Sequence, residues 1–466
     1  MTHLLPKFLL ACALAAMAAG QPASAAPKPA ARPWVVQPRW VAAEEGFLAG
    51  DALQGRGSAT RDEAIAAAYV AAQFESFGLT PAPGQAGFFQ TADVVRPRLD
   101  GPATLSVDGR PVAGATLLMG AARGVSGPAT LFTSPDVLAM PAADIVLAAS
   151  PASPLTLGQT ALSKHVKLLI LRESLLTRGL DRIQGGHPEI AAYLAGTEPE
   201  GTAVATLPAE AFDRLAERMS KPGAAPQLAV TLDGLTREAR VTTNAIGYLA
   251  GRDPKAGYVI VSAHLDHLGV TRGGVVMHGA NDDASGMVGV IELARALAAR
   301  KAAGHPLRRG VLFIGYGSEE IGKFGSTWFA AHPVVPLGEV AANIEFEMIG
   351  LQDPKLAKGS LFVTGSERSD LFAGLKTHGA PVSPDTHPDQ HYFERSDNFP
   401  LAQAGVVAHT VAGWTTPPTY HQPTDTVANI DLPFLAGAIQ AMIEPVAWLA
   451  DSAFRPQWAP GGRPEK

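Results

Sequence analysis

Two uninterrupted apolar segments in the second half of the chain constrain the fold most. Tyr258 to Ala263 reads YVIVSA, Gly310 to Tyr316 reads GVLFIGY, and a helical pattern from Ser285 to Ala303 separates them. Strands that are apolar on both faces are typical of parallel sheets covered by helices on both sides. Further strands are predicted at 343–346, 361–363 and 406–411, and further helices at 61–77, 322–331, 369–378 and 432–449. The pattern predicts an α/β domain whose sheet is mixed but mostly parallel, with helices on both faces.

A second domain is indicated by the length and by a change in texture. The chain has 466 residues, whereas single hydrophobic cores stop growing at roughly 250–300 residues. Between about Arg96 and Leu235 the apolar runs become short and are broken by Gly and Pro, which is typical of short strands. We therefore predict a separate β-rich domain inserted into the α/β domain.

The N-terminal residues predict export to the periplasm or the medium. Lys7 precedes an apolar run from Phe8 to Ala19, and Ala23-Ser24-Ala25 follows it, as in a secretory signal that is cleaved after Ala25. The run is shorter than the roughly 20 residues of a membrane-spanning helix, so we expect no integral membrane segment in the mature chain. The alternative is lipoprotein anchoring at Cys12. The short spacing argues against it, because only four apolar residues separate Lys7 from Cys12.

These patterns divide the chain into six predicted parts. The Pro- and Ala-rich stretch after the signal has no periodicity and is interpreted as a tether. The parts are a signal peptide (1–25), the tether (26–38), a first catalytic segment (39–95), the inserted domain (96–236), the main catalytic segment (237–453) and a C-terminal tail (454–466).

Charge and cysteine content narrow the partners and the kind of site. The formal net charge is -6 and no long basic run occurs, so neither nucleic acid nor an anionic membrane is expected as a partner. Cleavage after Ala25 would remove Cys12, the only cysteine. A metal in the mature chain would therefore be held by histidines and carboxylates.

Histidines and carboxylates cluster just beyond the predicted strand ends, and two more carboxylates precede a predicted helix. Open α/β sheets bind ligands at the carboxyl edge of their strands, and helix N-termini favour negative charge. Each residue alone is a weak signal, but their joint placement predicts a site. The residues are His264 and Asp266, Glu319 and Glu320, Glu347, His421, and Asp282 with Asp283.

Six short motifs carry a resemblance to a known family. The motifs are AHLDHLG (263–269), GANDDASG (279–286), GSEEIGKFGS (317–326), NIEFEMIG (343–350), YFERSDNFP (392–400) and YHQPTDT (420–426). They resemble the co-catalytic zinc peptidase family that includes secreted bacterial aminopeptidases and glutamate carboxypeptidase, over nearly all of the mature chain. The resemblance implies the phosphorylase/hydrolase-like fold of zinc exopeptidases, and the inserted region resembles a protease-associated (PA) domain.

The resemblance implies a centre with two Zn²⁺ ions. His264 and Glu347 would bind one ion, Glu320 and His421 the other, and Asp282 would bridge both. Imidazole and carboxylate are suitable zinc ligands, and two neighbouring ions can activate a shared water.

The family likeness also assigns roles beyond the ligands. Glu319 would be the general base, and Asp266 would accept the free ring proton of His264 and fix its tautomer. The Asp282–Asp283 peptide bond is expected to be cis. Asp425 would either orient His421 or form a turn, and the candidate substrate-binding residues are Tyr392, Arg395, Asp397 and Asn398.

Two positions depart from the family pattern, and four further histidines need an interpretation. Glu347 stands where Asp is frequent, with Glu345 as the alternative ligand, and Asn398 stands where His or Tyr is common. An amide can still donate to a substrate carbonyl.

No ligand position is left for the remaining histidines near the motifs, so we expect them to be structural or substrate-facing: His267, His278, His387 and His391.

The predicted activity is zinc-dependent hydrolysis of peptides, and aminopeptidase is chosen on family frequency. The alternatives are a carboxypeptidase, a glutaminyl-cyclase-like acyltransferase with one zinc, and a binding protein whose site has decayed. The ligand set is complete in the sequence, which argues against the last two. The number of zinc ions per chain distinguishes these functions. Hydrolysis predicts two ions, cyclisation predicts one, and binding alone predicts none.

Overall fold

The computed structural model describes residues 34–121, 123–183, 188–198 and 201–465. The predicted signal peptide and most of the predicted tether lie outside these ranges.

Ten α-helices and twenty strands are formed by the described residues. The helices are α1 (Pro38–Leu48), α2 (Arg61–Ser76), α3 (Pro154–Ser163), α4 (Leu175–Ile183), α5 (Ala209–Met219), α6 (Ser285–Ala302), α7 (Phe324–Ala331), α8 (Leu371–Thr377), α9 (Asn398–Gln403) and α10 (Leu432–Asp451). The strands are β1 (Phe89–Leu99), β2 (Ala103–Val107), β3 (Arg110–Pro111), β4 (Thr116–Gly120), β5 (Val125–Phe132), β6 (Ile145–Ala148), β7 (Leu168–Arg172), β8 (Glu189–Ile190), β9 (Tyr193–Leu194), β10 (Ala203–Leu207), β11 (Gln227–Leu232), β12 (Leu235–Leu249), β13 (Tyr258–His264), β14 (Gly269–Val270), β15 (Val276–Met277), β16 (Gly310–Tyr316), β17 (Val340–Glu347), β18 (Leu361–Val363), β19 (Val382–Pro384) and β20 (Ala408–Ala412).

The first sheet has the order β19-β18-β20-β17-β13-β16-β12-β1-β9. Its four central strands, β20, β17, β13 and β16, run parallel to one another, and antiparallel β18 and β12 flank them. Along β13 the side chains alternate between two cores, because successive residues of a strand point to opposite faces. Val259 and Val261 pack in the core with α6 and α10, whereas Ile260 packs in the core with α7 and α9. The predicted mixed sheet with helices on both faces is confirmed, and four of its eight strand pairs are parallel.

Local sequence signals place some element ends correctly, whereas others differ from the prediction by up to three residues, as at the start of β17. Strand β16 has the predicted bounds Gly310–Tyr316, and all seven of its residues are buried. Helix α2 begins after Thr60, whose side chain accepts hydrogen bonds from the amides of Asp62 and Glu63, which satisfies two of the free N–H groups of the first turn.

A second sheet of nine strands occupies the region predicted as the inserted domain. Its order is β3-β2-β11-β5-β6-β7-β10-β4-β8, and alternate faces of β6 and β7 pack into two cores of its own. Strands β1 and β12 pair antiparallel along their length, from Phe89 opposite Ala245 to Leu99 opposite Leu235. The predicted boundaries at 95/96 and 236/237 therefore lie inside a continuous two-stranded ribbon. The protease-associated assignment stays a prediction.

Helix α10 is the one described helix that is long and apolar enough to cross a membrane by length and composition. Its Leu435, Ile439 and Met442 are buried in the same core as α6. The helix is thus accounted for as a core element of the first sheet.

Candidate metal centre

The predicted site residues meet at the carboxyl edge of the parallel strands. His264 and Glu347 are the last residues of β13 and β17, and Glu319 and Glu320 follow the end of β16 by three and four residues. Neighbouring parallel strands end at the same edge of a sheet, so residues distant in sequence converge there. Asp282, Glu319, Glu320, Glu347 and His421 line one cleft.

Asp282 lies between the two histidines that the resemblance assigns to different ions. Its Oδ1 is 3.3 Å from Nε2 of His264, and its Oδ2 is 3.1 Å from Nε2 of His421. Glu320 Oε2 lies 3.2 Å from the same nitrogen of His421. The Asp282–Asp283 peptide bond is cis, as expected. One carboxylate thus presents one oxygen to each of these two histidines, as the resemblance expects of a bridging ligand.

Several buried donor atoms at this centre suit a cation. Nε2 of His264 and Oε1 of Glu320 are buried and make no hydrogen bond of acceptable geometry within the described residues, although Asp282 and His267 lie 3.3 and 2.8 Å from them. Buried polar atoms without partners are rare and call for an explanation. Imidazole nitrogen and carboxylate oxygen are the ligand types that zinc accepts, so the residues fit the implied ions.

His267 joins the centre, although sequence reasoning set it aside. Its Nδ1 is 2.8 Å from Oε1 of Glu320 and 3.8 Å from Oδ2 of Asp282. His267, Asp282, Glu320 and His421 each offer one ligand atom, and the four atoms lie within 4.8 Å of one another. The available signal was its position in AHLDHLG, where it follows Asp266 directly and lies three residues after His264, the last residue of β13.

Electrostatics show a strongly negative centre. Burial by itself lowers the pKa of His421, but hydrogen bonds to Asp282 and Glu320 outweigh burial and raise that pKa to about 10. Burial and the neighbouring carboxylates of Glu320, Asp397 and Glu347 raise the pKa of Glu319 well above its usual value, against the opposing effect of His264. Bound cations would relieve this repulsion, because opposite charge within a few ångströms favours the ionised carboxylate.

His264 is oriented by a backbone carbonyl rather than by the predicted carboxylate. Its Nδ1 is 3.2 Å from the backbone oxygen of Asp266 and 3.8 Å from Oδ1 of that residue. Because a carbonyl oxygen can only accept, the contact places the proton on Nδ1 and leaves Nε2 free to bind a metal. The Asp266 carboxylate instead accepts from Ser58 Oγ at 2.6 Å and from the amides of Glu319 and Glu320 at 2.9 and 3.3 Å.

Two further buried carboxylates bind backbone amides in and near the segment that carries Asp282. Asp425 accepts from the amides of Asn281 at 2.9 Å and Asp282 at 3.1 Å, so it positions the bridge and not His421. Asp283 accepts from the amides of Gly286 at 3.0 Å and Met348 at 2.8 Å. It thereby ties the bridge to the residue after Glu347.

The four candidate substrate-binding residues form two pairs, of which only one lines the cleft. Tyr392 and Arg395 line the cleft, and Nη2 of Arg395 donates to Oη of Tyr420 at 3.2 Å. Asp397 and Asn398 are fully buried and do not line it. Asn398 was predicted to donate to a substrate carbonyl, but its amide nitrogen donates to the backbone oxygen of Phe393 at 3.1 Å. That donor is engaged inside the fold.

The remaining predicted residues lie outside the cleft. Glu345, the alternative ligand, is buried on β17 and accepts from Ser262 Oγ at 2.5 Å. His278 Nε2 lies 2.7 Å from Asp51, and His387 Nε2 lies 2.5 Å from Asp353. His391 is exposed.

Comparison with known proteins gives matches in sequence and in fold. Residues 244–446 match the model of peptidase family M28. The chain is 31% identical to aminopeptidase NAALADL1 of Mus musculus over 150 residues, which is 31% of this chain and 18% of that protein. It is 25% identical to aminopeptidase YwaD of Bacillus subtilis (strain 168) over 179 residues, 37% of this chain and 36% of that protein. The matched stretches thus span well under half of these relatives.

Two solved structures share the fold over most of the chain. An aminopeptidase from Aneurinibacillus sp. strain AM-1 superposes with a TM-score of 0.58 at 18% identity, covering 89% of this chain and 94% of that one. BSAP, a zinc aminopeptidase from Bacillus subtilis, superposes with a TM-score of 0.55 at 20% identity, covering 90% and 98%. Because these coverages exceed the 244–446 match, the shared architecture extends beyond it to both sheets.

Proposed function

We propose that the protein is a zinc-dependent exopeptidase that acts as an aminopeptidase, because residues 244–446 match the model of peptidase family M28. The two relatives compared above are both named aminopeptidases. The observation that carries the proposal is the position of Asp282, with one carboxylate oxygen facing His264 and the other facing His421.

The proposed centre holds two zinc ions. His264 and Glu347 would hold one ion, Glu320 and His421 would hold the other, and Asp282 would be shared between them. When bound, the pair of ions lowers the pKa of a shared water and polarises the scissile carbonyl. All five proposed ligands are present in the sequence and four of them line one cleft, Asp282, Glu320, Glu347 and His421, which supports hydrolysis over a one-zinc cyclase and over a decayed binding protein.

Glu319 moves the proton in the proposed reaction. It lines the same cleft as the ligands, and the amide contacts of Glu319 and Glu320 to Asp266 fix its backbone. Its carboxylate takes a proton from the attacking water and then delivers it to the leaving amine.

Carboxypeptidase action is the second candidate, and Arg395 is the reason. Arg395 lines the cleft, its guanidinium lies 5.2 Å from the ring centroid of Tyr392, and within the described residues it forms no ion pair with a carboxylate. A guanidinium held in this way can bind a substrate carboxylate through two parallel hydrogen bonds.

One reporter screen tests both candidates. Amino-acid p-nitroanilides with free and acetylated N-termini, and dipeptides with free and amidated C-termini, are incubated with the protein, with a chelator, and after zinc is restored. Aminopeptidase action predicts cleavage that requires a free N-terminus and zinc. Cleavage that requires a free C-terminus would assign a carboxypeptidase, and cleavage that survives complete zinc removal would refute the metal mechanism.

We also propose that the protein is exported and that the second sheet is a protease-associated domain. The first proposal rests on the signal-like pattern before Ala26, and the second on the insertion of the sheet through the β1–β12 ribbon. N-terminal sequencing of the protein recovered from the periplasm or the medium tests the first.

A further inference from the structure

Arg56 is buried beside the metal centre, although it lies far from every proposed ligand in sequence. It ends a short 3₁₀ segment, Asp51–Arg56, in the N-terminal part of the chain. Its exposed fraction is 0%, and it lies outside the 244–446 match. A fully buried arginine requires a structural reason, because burying a charge is costly unless it is well hydrogen-bonded.

The guanidinium donates to four backbone carbonyls, and two of them belong to proposed metal-binding loops. Nε donates to the oxygen of Leu265 at 2.8 Å, and Leu265 directly follows His264. Nη2 donates to the oxygen of Gly279 at 2.9 Å, three residues before Asp282. One planar group therefore joins the loop of the first histidine ligand to the loop of the bridging carboxylate.

The other contacts of Arg56 complete this junction. Nη1 donates to the oxygens of Leu48 at 2.6 Å and His278 at 2.8 Å. The backbone oxygen of Arg56 accepts from the amide of His267 at 3.1 Å. Arg56 thus contacts the AHLDHLG loop through both its side chain and its main chain.

The charge of Arg56 also matches its surroundings. Burial lowers its pKa, whereas the nearby carboxylates of Glu45, Asp266, Asp283 and Asp425 raise it. All four carboxylates are themselves buried. A cation here offsets part of the negative charge that collects around the centre, and only a guanidinium has donors in the fixed fork that reaches several acceptors at once.

We infer that Arg56 is a positioning residue for the metal centre, setting the separation of the loops that carry His264 and Asp282. The inference rests on the proposed function for its link to turnover, but not for its link to metal binding. It assigns part of the centre to the N-terminal segment that precedes the inserted domain.

Variants of Arg56 with a matched control test the inference. Arg56→Lys keeps the charge and removes the fork, and Arg56→Gln keeps a hydrogen-bonding side chain without charge. Arg309→Lys is the control, because Arg309 is also buried and donates to three backbone carbonyls, those of Ala256, Leu449 and Ala453. It directly precedes β16 at the amino end of that strand, whereas the centre is at the carboxyl end.

Zinc affinity, measured by competition with a chelator, is the primary readout, and thermal unfolding is measured in parallel. We expect Arg56→Lys to weaken zinc binding by about tenfold or more and to lower kcat at saturating zinc with little change in KM, as for other residues that orient metal ligands. Arg309→Lys should lower the melting temperature yet keep the zinc affinity and kcat. Wild-type zinc affinity and kcat in a folded Arg56 variant would overturn the inference.

A measurement on the unmodified protein covers the case in which neither Arg56 variant folds. Hydrogen exchange is followed with and without zinc in peptides spanning 51–58, 264–268 and 279–284. The inference predicts that zinc slows exchange in 51–58 as well as in the two loops, and unchanged exchange in 51–58 would contradict it. Zinc binding can be measured without turnover, so a protein that binds zinc but cleaves no peptide would refute the proposed function and leave this test intact.

Discussion

The backbone amide of Glu319 donates to Oδ1 of Asp266 at 2.9 Å. Oδ2 of the same carboxylate receives Ser58 Oγ at 2.6 Å and the amide of Glu320 at 3.3 Å. Asp266 therefore positions the proposed base and its neighbouring ligand together. Its place in the HxD triplet suggested that it orients His264, but its carboxylate mainly accepts hydrogen bonds from the loop after β16.

Asp266→Asn tests this assignment. An asparagine has one acceptor oxygen, and its NH₂ group would face donors that the carboxylate now accepts. We expect kcat to fall about 10- to 100-fold, with weaker zinc binding, as for other partners that hold metal-site residues. Steady-state kinetics at saturating zinc and zinc titration check the result. A variant with wild-type kcat would show that the three donors do not need this acceptor.

Glu319→Gln should separate proton transfer from metal binding. The amide occupies nearly the same volume but cannot take a proton, so turnover should fall about 10²- to 10⁴-fold, the usual contribution of a general base. Metal analysis by mass spectrometry should still find the wild-type zinc content. Substantial retained activity would reject Glu319 as the base.

His267→Gln tests whether the second histidine of AHLDHLG belongs to the centre. Because its Nδ1 lies 2.8 Å from Oε1 of Glu320, we expect the ion near Glu320 and His421 to bind about 10- to 100-fold more weakly, while the ion near His264 is retained. Equilibrium dialysis resolves the two affinities. His278→Gln is the control, since His278 contacts Asp51 outside the cleft. Equal zinc binding in both variants would make His267 a packing residue only.

Zinc affinity should increase with pH in the neutral range. The pKa of His421 is raised to about 10 by Asp282 and Glu320 against the lowering effect of burial, so in the metal-free protein a proton occupies a nitrogen that zinc needs unprotonated. Each displaced proton makes the dissociation constant fall by up to about tenfold per pH unit. Isothermal titration in buffers of different ionisation enthalpy should show proton release on zinc addition. The absence of proton release between pH 6 and 9 would contradict this pKa.

His409 should make the fold acid-sensitive independently of the metal. Burial lowers its pKa to about 4, and its Nδ1 lies 2.8 Å from the backbone oxygen of Thr364. The unfolded state therefore binds a proton that the folded state does not, so stability falls as pH drops below about 6.5 and levels off below about 4. The lowered pKa of His409 corresponds to a loss of about 3 kcal/mol in the free energy of unfolding over this pH range. Urea unfolding of the metal-free wild type and His409→Gln between pH 4 and 7 should show a shallower pH dependence in the variant, and equal slopes would exclude this contribution.

The sequence by itself determined the parallel centre of the first sheet and most of the residues that meet at its edge. Continuous apolar strands such as Gly310–Tyr316 can be stable only between two helical layers, and parallel strands must end at a common edge. Residues that directly follow those strands, such as His264 and Glu347, are therefore brought together by topology. Local patterns carry this information because strand period and chain order are properties of the sequence.

Only the tertiary structure decided how those residues are held. Asn398 is engaged with Phe393 inside the fold, Asp425 supports Asp282, and Arg56 joins two loops that follow it by about 200 residues. Such pairings depend on where separate segments come to rest in space. Hydrogen-bond partners at long sequence separation leave no periodic signal in the chain, so they become visible only once the whole fold has placed them.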